Sequence, residues 1–310
     1  MSLPFNLAPQ LLSKAVICAS ALFLNACGTL NKMTDDFEAK WAKSDKELFN
    51  ELTGEEARTV SIDNQLAALD RDVATSNCDS ALDRRDGLGE TTILSREARI
   101  FIANCDLKEN SIELANEQFE TLLTEARDAA VLEGLGVVAV RLQNYDLAAG
   151  YLNEAIMLDT ERWRSWNALG VALDVQGAPE EAAEAFGKAA TLNPRSAAPF
   201  NNLGVLYMKQ KQYVDAISAF NEALAINPDL QAADNNYRIA LALNGDYENA
   251  LAGASEAQLA QFLNNAGVAA SARGDLPSAK KFLKAALNES PTFYATAYEN
   301  LIRLPNSAGE

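Results

Sequence analysis

The 310 residues include four cysteines and no histidine. Cysteine is therefore the residue type with most chemistry to offer: a thiolate is a nucleophile, a lipid attachment point, a metal ligand or half of a disulfide. The missing imidazole removes the commonest general base and the commonest metal ligand. No nucleophile–base pair, metal-ligand set or phosphate-binding glycine loop can be read. Carboxylate or lysine catalysis stays open in principle, but the sequence assigns no catalytic residue, no metal and no cofactor. It reads as a chain that binds rather than converts.

The cysteines sort by their surroundings. Lys14 precedes an apolar run from Ala15 to Leu24, which includes Cys18. The run is too short to span a bilayer but suits the core of an export signal. Leu24-Asn25-Ala26-Cys27-Gly28 then resembles a bacterial lipobox, with Asn25 bulkier than usual at its position. The competing readings are an ordinary signal peptide or a buried apolar helix. By the lipobox resemblance, residues 1–26 are removed and Cys27 is lipidated. Acyl chains at about 0.8 kcal/mol per buried CH₂ would make that anchor permanent. Gly28, where aspartate would signal inner-membrane retention, implies the outer membrane and its periplasmic face. Cys78 and Cys105 would then lie in an oxidising compartment, either bridged or as two separate thiols.

The elements that must position any binding surface begin with a spacer. Residues 27–90 read as a tether with one helix from Asp35 to Leu52, where Phe37, Trp41, Leu48, Phe49 and Leu52 fall at helical spacing. The remainder is polar and mixed, with Asn77, Gly87 and Gly89 as breakers. From residue 91 to 304 the chain repeats itself. Leu135-Gly136 recurs as Leu169-Gly170 and Leu203-Gly204, 34 residues apart each time. Tyr237-Arg238 is 34 further and Ala266-Gly267 only 29 further, which predicts a clipped second helix in the repeat starting near Gln231.

Within one period, Trp166, Leu169, Gly170 and Leu173 precede Ala182, Phe186, Ala189 and Pro194; the next gives Phe200, Leu203, Gly204, Tyr207, Ala216, Phe220, Ala223 and Pro228. This is the tetratricopeptide (TPR) signature. It predicts an all-α solenoid of helix pairs, a right-handed superhelix of about six repeats with a capping helix over Phe293–Leu304. Residues 305–310 read as a disordered tail. The outer repeats are degraded: residues 95–128 keep Ala115 and Phe119 but lose the Leu-Gly pair.

In such a solenoid the first helices line the inner face. The residue after each glycine position gives Val137, Val171, Val205, Ile239 and Val268, an apolar stripe. Three before it stand Asn167, Asn201, Asn235 and Asn264, whose amides both donate and accept. These nine are the candidate peptide-binding groove. Asn202, Asn236 and Asn265 are read instead as holding helices together. A cationic clamp for a C-terminal carboxylate would need more than Arg141, Arg164 and Lys209. Trp163 is either an exposed contact flanked by arginines or packed near Tyr151 or Ala155. The net charge of −17 opposes binding to nucleic acid and to anionic lipid surfaces. It marks a solvated surface or a basic partner.

Arg162-Trp163-Arg164-Ser165-Trp166-Asn167-Ala168-Leu169-Gly170-Val171-Ala172-Leu173-Asp174 carries a closer resemblance. So do Asn264-Asn265-Ala266-Gly267, Gly274-Asp275, Ser290-Pro291-Thr292-Phe293-Tyr294 and Asn300-Leu301. Together with the lipobox they resemble TadD, the TPR lipoprotein family of the tight-adherence (Flp pilus) system. That resemblance implies a pilotin-like partner role toward a secretin subunit or another pilus-assembly component. A general periplasmic adaptor for cell-wall hydrolases or proteases would need the same anchor and groove, and a plain spacer would need neither amides nor valines.

Overall fold

The computed structural model describes residues 64–88, 94–290 and 294–305. Cys27, the export segment expected over residues 1–26 and the helix expected from Asp35 to Leu52 lie outside them. The chain divides into two units, Met1–Arg71 with Gly87–Thr92, and Asp72–Asp86 with Ile93–Glu310. The described part of the first is helical over 64–71, the beginning of α1 (residues 64–75). The second unit holds the repeats.

After α2 (Cys78–Gly87) come six pairs: α3 (Arg96–Lys108) with α4 (Ile112–Glu125), α5 (Ala129–Arg141) with α6 (Tyr145–Leu158), α7 (Trp163–Val175) with α8 (Pro179–Leu192), α9 (Ala197–Lys209) with α10 (Tyr213–Ile226), α11 (Gln231–Asn244) with α12 (Tyr247–Leu251), and α13 (Glu256–Ala272) with α14 (Leu276–Glu289). A last helix, α15 (Ala295–Ile302), packs on α14. Among the described residues all regular structure is helical, and the fold is a TPR solenoid of six pairs with a terminal helix.

Local chemistry sets the helix ends. Asp128 accepts from the amides of Ala130 and Val131, Asn144 from Leu147 and Asp275 from Ser278, so orphan N–H groups at three helix starts are satisfied by side chains. The turn inside each pair needs one left-handed residue, and Asn110, Gln143, Gly177, Lys211, Gly245 and Gly274 supply it in register. Between the helices of a pair, glycine lets a large side chain pass. A Cβ added at Gly170 would lie 2.6 Å from the Phe186 ring, and one at Gly204 2.5 Å from that of Phe220. Phe186 and Phe220 are themselves buried, with Ala182, Ala216 and Ala223 around them.

The repeat starting at Gln231 has the clipped second helix that its spacing predicts: α12 spans five residues where α10 spans fourteen. The truncation explains Arg238 at the glycine position. With no long partner helix to admit, the side chain has room, and it donates to the carbonyl oxygens of Ala250 (3.2 Å) and Ala252 (2.7 Å). These are orphan acceptors at the end of α12. The guanidinium also lies 4.4 Å from the Phe262 ring centre and is paired with Asp234.

One expectation is corrected. Part of the stretch read as a polar tether is helical, as α1 and α2, and α2 is fixed to the first repeat. Cys78 and Cys105 form a disulfide with Cα atoms 5.3 Å apart. The Arg85 guanidinium donates to both oxygens of the buried Asp106, at 2.9 and 2.7 Å, and Gln118 adds a third bond at 2.8 Å. Within the segment, Asp72 accepts from Ser80 and Arg84. Helical periodicity missed α2 because Ala81 is its one buried residue. Covalent and ionic contacts hold it where an apolar face would otherwise do so.

Candidate functional site

Each first helix touches the first helix of the next pair, from α3 through α15, whereas among the described residues no second helix touches the next second helix. The first helices therefore form the tighter, inner layer and the second helices splay outside it. The inner face is where side chains of successive repeats come close enough to act together.

The candidate residues all map to that layer. Val137, Val171, Val205 and Ile239 are half-buried and Val268 is exposed. The first three also brace the core: Val171 packs by Ala182, Phe186 and Leu206, and Val205 by Ala216, Phe220 and Ala240. The apolar stripe is thus shallower than the sequence implies.

The asparagines divide differently from expectation. The two series are partners of one another across repeats. Asn202 donates to Asn167 Oδ1 at 3.0 Å, and Asn236 to Asn201 Oδ1 at 3.3 Å. Asn264 is buried, accepts from Asn300 at 2.9 Å and donates to Asn265 at 3.5 Å. So Asn264 belongs to the seam between helices and offers no open amide, while Asn202 and Asn236 serve the structural role read for them. Asn167 and Asn201 keep their Nδ2 groups unspent among the described residues, and both are half-buried. Asn235 is half-buried and has no side-chain hydrogen bond among the described residues.

Sequence reasoning missed the first rung. Glu133 stands three before Gly136, the position the asparagines occupy later. It is buried, accepts from Ser165 Oγ at 2.8 Å and from Arg162 at 3.1 Å. Register arithmetic alone would have placed it in the series. Asn300, on the terminal helix and outside the repeat register, supplies the last rung by donating to Asn264. Of the cations weighed for a clamp, Lys209 is spent on Asp174 at 2.6 Å. Trp166 packs beside Leu169 and donates to the Thr160 carbonyl at 2.9 Å, while Trp163 is half-buried with Arg164 at 5.5 Å from its ring centre.

Charge concentrates at the N-terminal pairs. Arg96 and Arg99 hold Glu125, Arg96 holds Asp128 at 2.7 Å, and Arg127 holds Glu154. Burial works to raise the Asp128 pKa, but the Arg96 guanidinium and the Val131 and Ala130 amides outweigh it and hold it below the ordinary value. Glu125 and Glu154 are also lowered, by Arg99 and Arg127 respectively.

Comparison with known proteins agrees with this architecture. Two tetratricopeptide repeat models match residues 103–163 and 197–230. The chain carries tetratricopeptide repeats, which build protein-interaction scaffolds. No curated protein matches by sequence. A solved structure of PilF from Pseudomonas aeruginosa is 22% identical, with a TM-score of 0.50 over 66% of this chain and 95% of that one. A chain of the APC/C assembly Cut9–Hcn1 is 18% identical with a TM-score of 0.57, over 76% of this chain and 48% of that one. The C-terminal part of a TPR repeat-containing protein from Cytophaga hutchinsonii is 20% identical with a TM-score of 0.50, over 76% and 99%. At these identities the likeness is one of fold.

Proposed function

We propose that this chain is a lipid-anchored scaffold on the periplasmic face of the outer membrane that holds a protein partner against its inner face. The partner we infer is a secretin subunit of a tight-adherence (Flp pilus) system, which the scaffold helps to reach or assemble in the outer membrane. One observation carries the binding part: unspent amide donors of Asn167 and Asn201 stand on the inner face beside half-buried Val171 and Val205. That is the chemistry of a surface that takes an extended main chain, with amides for the backbone and apolar patches for alternate side chains.

The anchor at Cys27 and the resemblance of the Arg162–Asp174 string to the TadD family support the location and the partner. The mechanism is capture. The acyl chains fix the scaffold to the outer membrane, and the inner face masks a segment of the subunit until it assembles. Nothing in this role needs a bond to be made or broken, so the chain acts as a scaffold and not as an enzyme.

The test is the amount of assembled secretin multimer in outer-membrane fractions, with the gene present and deleted. Loss of multimers while subunits are still made is the expected result. Unchanged multimers would remove the pilotin-like role and leave the general adaptor for hydrolases or proteases.

A further inference from the structure

A cavity of about 220 Å³ lies where α2, α3 and α4 meet, and none of the inner-face candidates lines it. Arg99 and Ile102, one turn apart on α3, line it together with Gln118, Thr121 and Leu122, which share one side of α4. Arg85 of α2 and Leu94 complete the lining. The Cys78–Cys105 bridge and the Arg85–Asp106 pair hold α2 in place as one wall. The lining is mainly apolar, yet two buried polar atoms on it have no hydrogen-bond partner among the described residues, Arg99 Nε and Gln118 Oε1. Each is what its side chain has left over. Arg99 spends Nη1 and Nη2 on Glu125, which leaves Nε–H. Gln118 spends Nε2 on Asp106 at 2.8 Å, which leaves Oε1. One leftover is a donor and the other an acceptor, and they do not bond each other.

We propose that this cavity binds a small neutral molecule with a benzene-sized apolar body and a carboxamide or hydroxyl head. The site is separate from the inner face and does not depend on the role given to that face. Size sets the body. An apolar cavity of about 150 Å³ holds benzene, so the larger space here leaves room for about three more non-hydrogen atoms, the size of a carboxamide. The leftover atoms set the head. A carboxamide carbonyl accepts from Arg99 Nε–H while its N–H donates to Gln118 Oε1, and a hydroxyl can do both with one oxygen. Buried polar groups left unmade are costly, so a ligand that satisfies both at once is favoured over one that satisfies neither. A carboxylate fits worse despite the two arginines. It would set an acceptor against Gln118 Oε1, and both guanidiniums already face carboxylates, Arg85 that of Asp106 and Arg99 that of Glu125. Ile102, Leu122 and Leu94 supply the apolar contact, and the guanidiniums on the lining favour an aromatic body over an aliphatic one.

Benzamide and benzoate test this, since they share a shape and differ in the head. Each is titrated into the full chain at neutral pH and followed by NMR, with the Arg99 Nε–H resonance as the reporter at the site. Two variants accompany the wild type. Thr121→Phe fills the cavity from an exposed position whose hydroxyl bonds only within its own helix, to the Glu117 carbonyl. Arg99→Lys keeps a positive charge beside Glu125 and removes Nε–H. The expected result is saturable benzamide binding that shifts the Arg99 Nε–H signal, with benzoate at least tenfold weaker. Both variants should weaken benzamide at least tenfold. Benzoate binding as tightly as benzamide would mean that arginine charge governs the site, and would overturn the neutral head. If benzamide binds but Thr121→Phe and Arg99→Lys, both folded by circular dichroism, bind it as the wild type does, the ligand sits elsewhere and the site is wrong. No saturable binding of benzamide by the wild type would mean that solvent satisfies the two atoms, and the proposal falls.

Discussion

Between Arg85 and Glu154 the repeats are joined by charge; between Asn167 and Asn300 they are joined mainly by neutral amides. At the N-terminal end Arg85 meets Asp106, Arg96 meets Asp128 and Glu125, and Arg127 meets Glu154, each pair tying a helix to a neighbouring helix or to the loop before α5. Toward the C-terminus the Arg238–Asp234 and Arg303–Glu299 ion pairs each join residues one helical turn apart, and among the described residues Lys209–Asp174 is the exception that crosses between helices. Glu133 with Arg162 and Ser165 is the junction, a carboxylate in the column that later holds asparagines. A solenoid has only neighbour contacts, so each seam sets the stability of its own pair. The difference teaches that one backbone geometry can be sealed by either chemistry. It also separates the ends by what disturbs them: reductant and salt at one end, loss of an amide at the other.

Replacing Cys78 and Cys105 by serine should have the largest effect. The bridge closes a loop with a sequence separation of 27, and its loss costs about 3–4 kcal/mol on the loop-entropy account. Hydrogen exchange should speed up in α2 and α3 while amides of α9 and α10 stay protected. Uniform acceleration would mean the array unfolds as one unit and would erase the contrast. Glu133→Ala comes next. It strands the buried Ser165 hydroxyl and frees Arg162, at a cost of about 1.5–3 kcal/mol for a charged hydrogen-bonded group, read as a lower urea midpoint. Asn201→Ala removes one neutral bond, that from Asn236, and should cost about 1 kcal/mol by the same measurement.

These effects bear on what the sequence disclosed. The repeat step of 34 residues located the pairs from α5 to α12, because glycine and alanine positions answer to a steric demand that leaves few alternatives. The shortened step even foretold α12. Periodicity is blind to contacts that do not repeat, however. Arg85 reaches Asp106 across 21 positions and belongs to no heptad or helical pattern. The candidate site was legible as a set of positions but not as a set of bonds. Both asparagine series were visible, yet only coordinates reveal that Asn202 spends itself on Asn167, and Asn236 on Asn201. Whether an amide is open depends on the helix beside it, and that is settled by the superhelical offset between repeats. Asn235 looks like its neighbours in sequence and differs from them in having no such bond among the described residues.

The sharpest separation of the N-terminal pairs from α9 and α10 should come from acid. The folded pKa values of Glu125, Asp128 and Glu154 are all depressed. Such a group binds a proton less readily folded than unfolded, so its contribution is complete above the ordinary carboxylate range of about 4 and is lost as pH falls through the lower folded value. All three lie on or between the first two pairs. Lowering pH from 7 to 3 should therefore raise exchange rates in α3 to α6 before those in α9 and α10, where the seam asparagines do not titrate. At neutral pH, 1 M salt should act in the same direction but more weakly, because it screens the exposed Arg127–Glu154 pair while leaving Asn202–Asn167 untouched. Asp275 tests the rule from the other side. Its pKa is lowered by Ser278, whose hydroxyl and amide act ahead of the opposing effect of burial, with Tyr247 and Arg273 adding to the shift. It starts α14, so acid should loosen that helix end as well while α9 and α10 hold. If α9 and α10 exchange as fast as α3 under acid, charge is not what distinguishes the two ends.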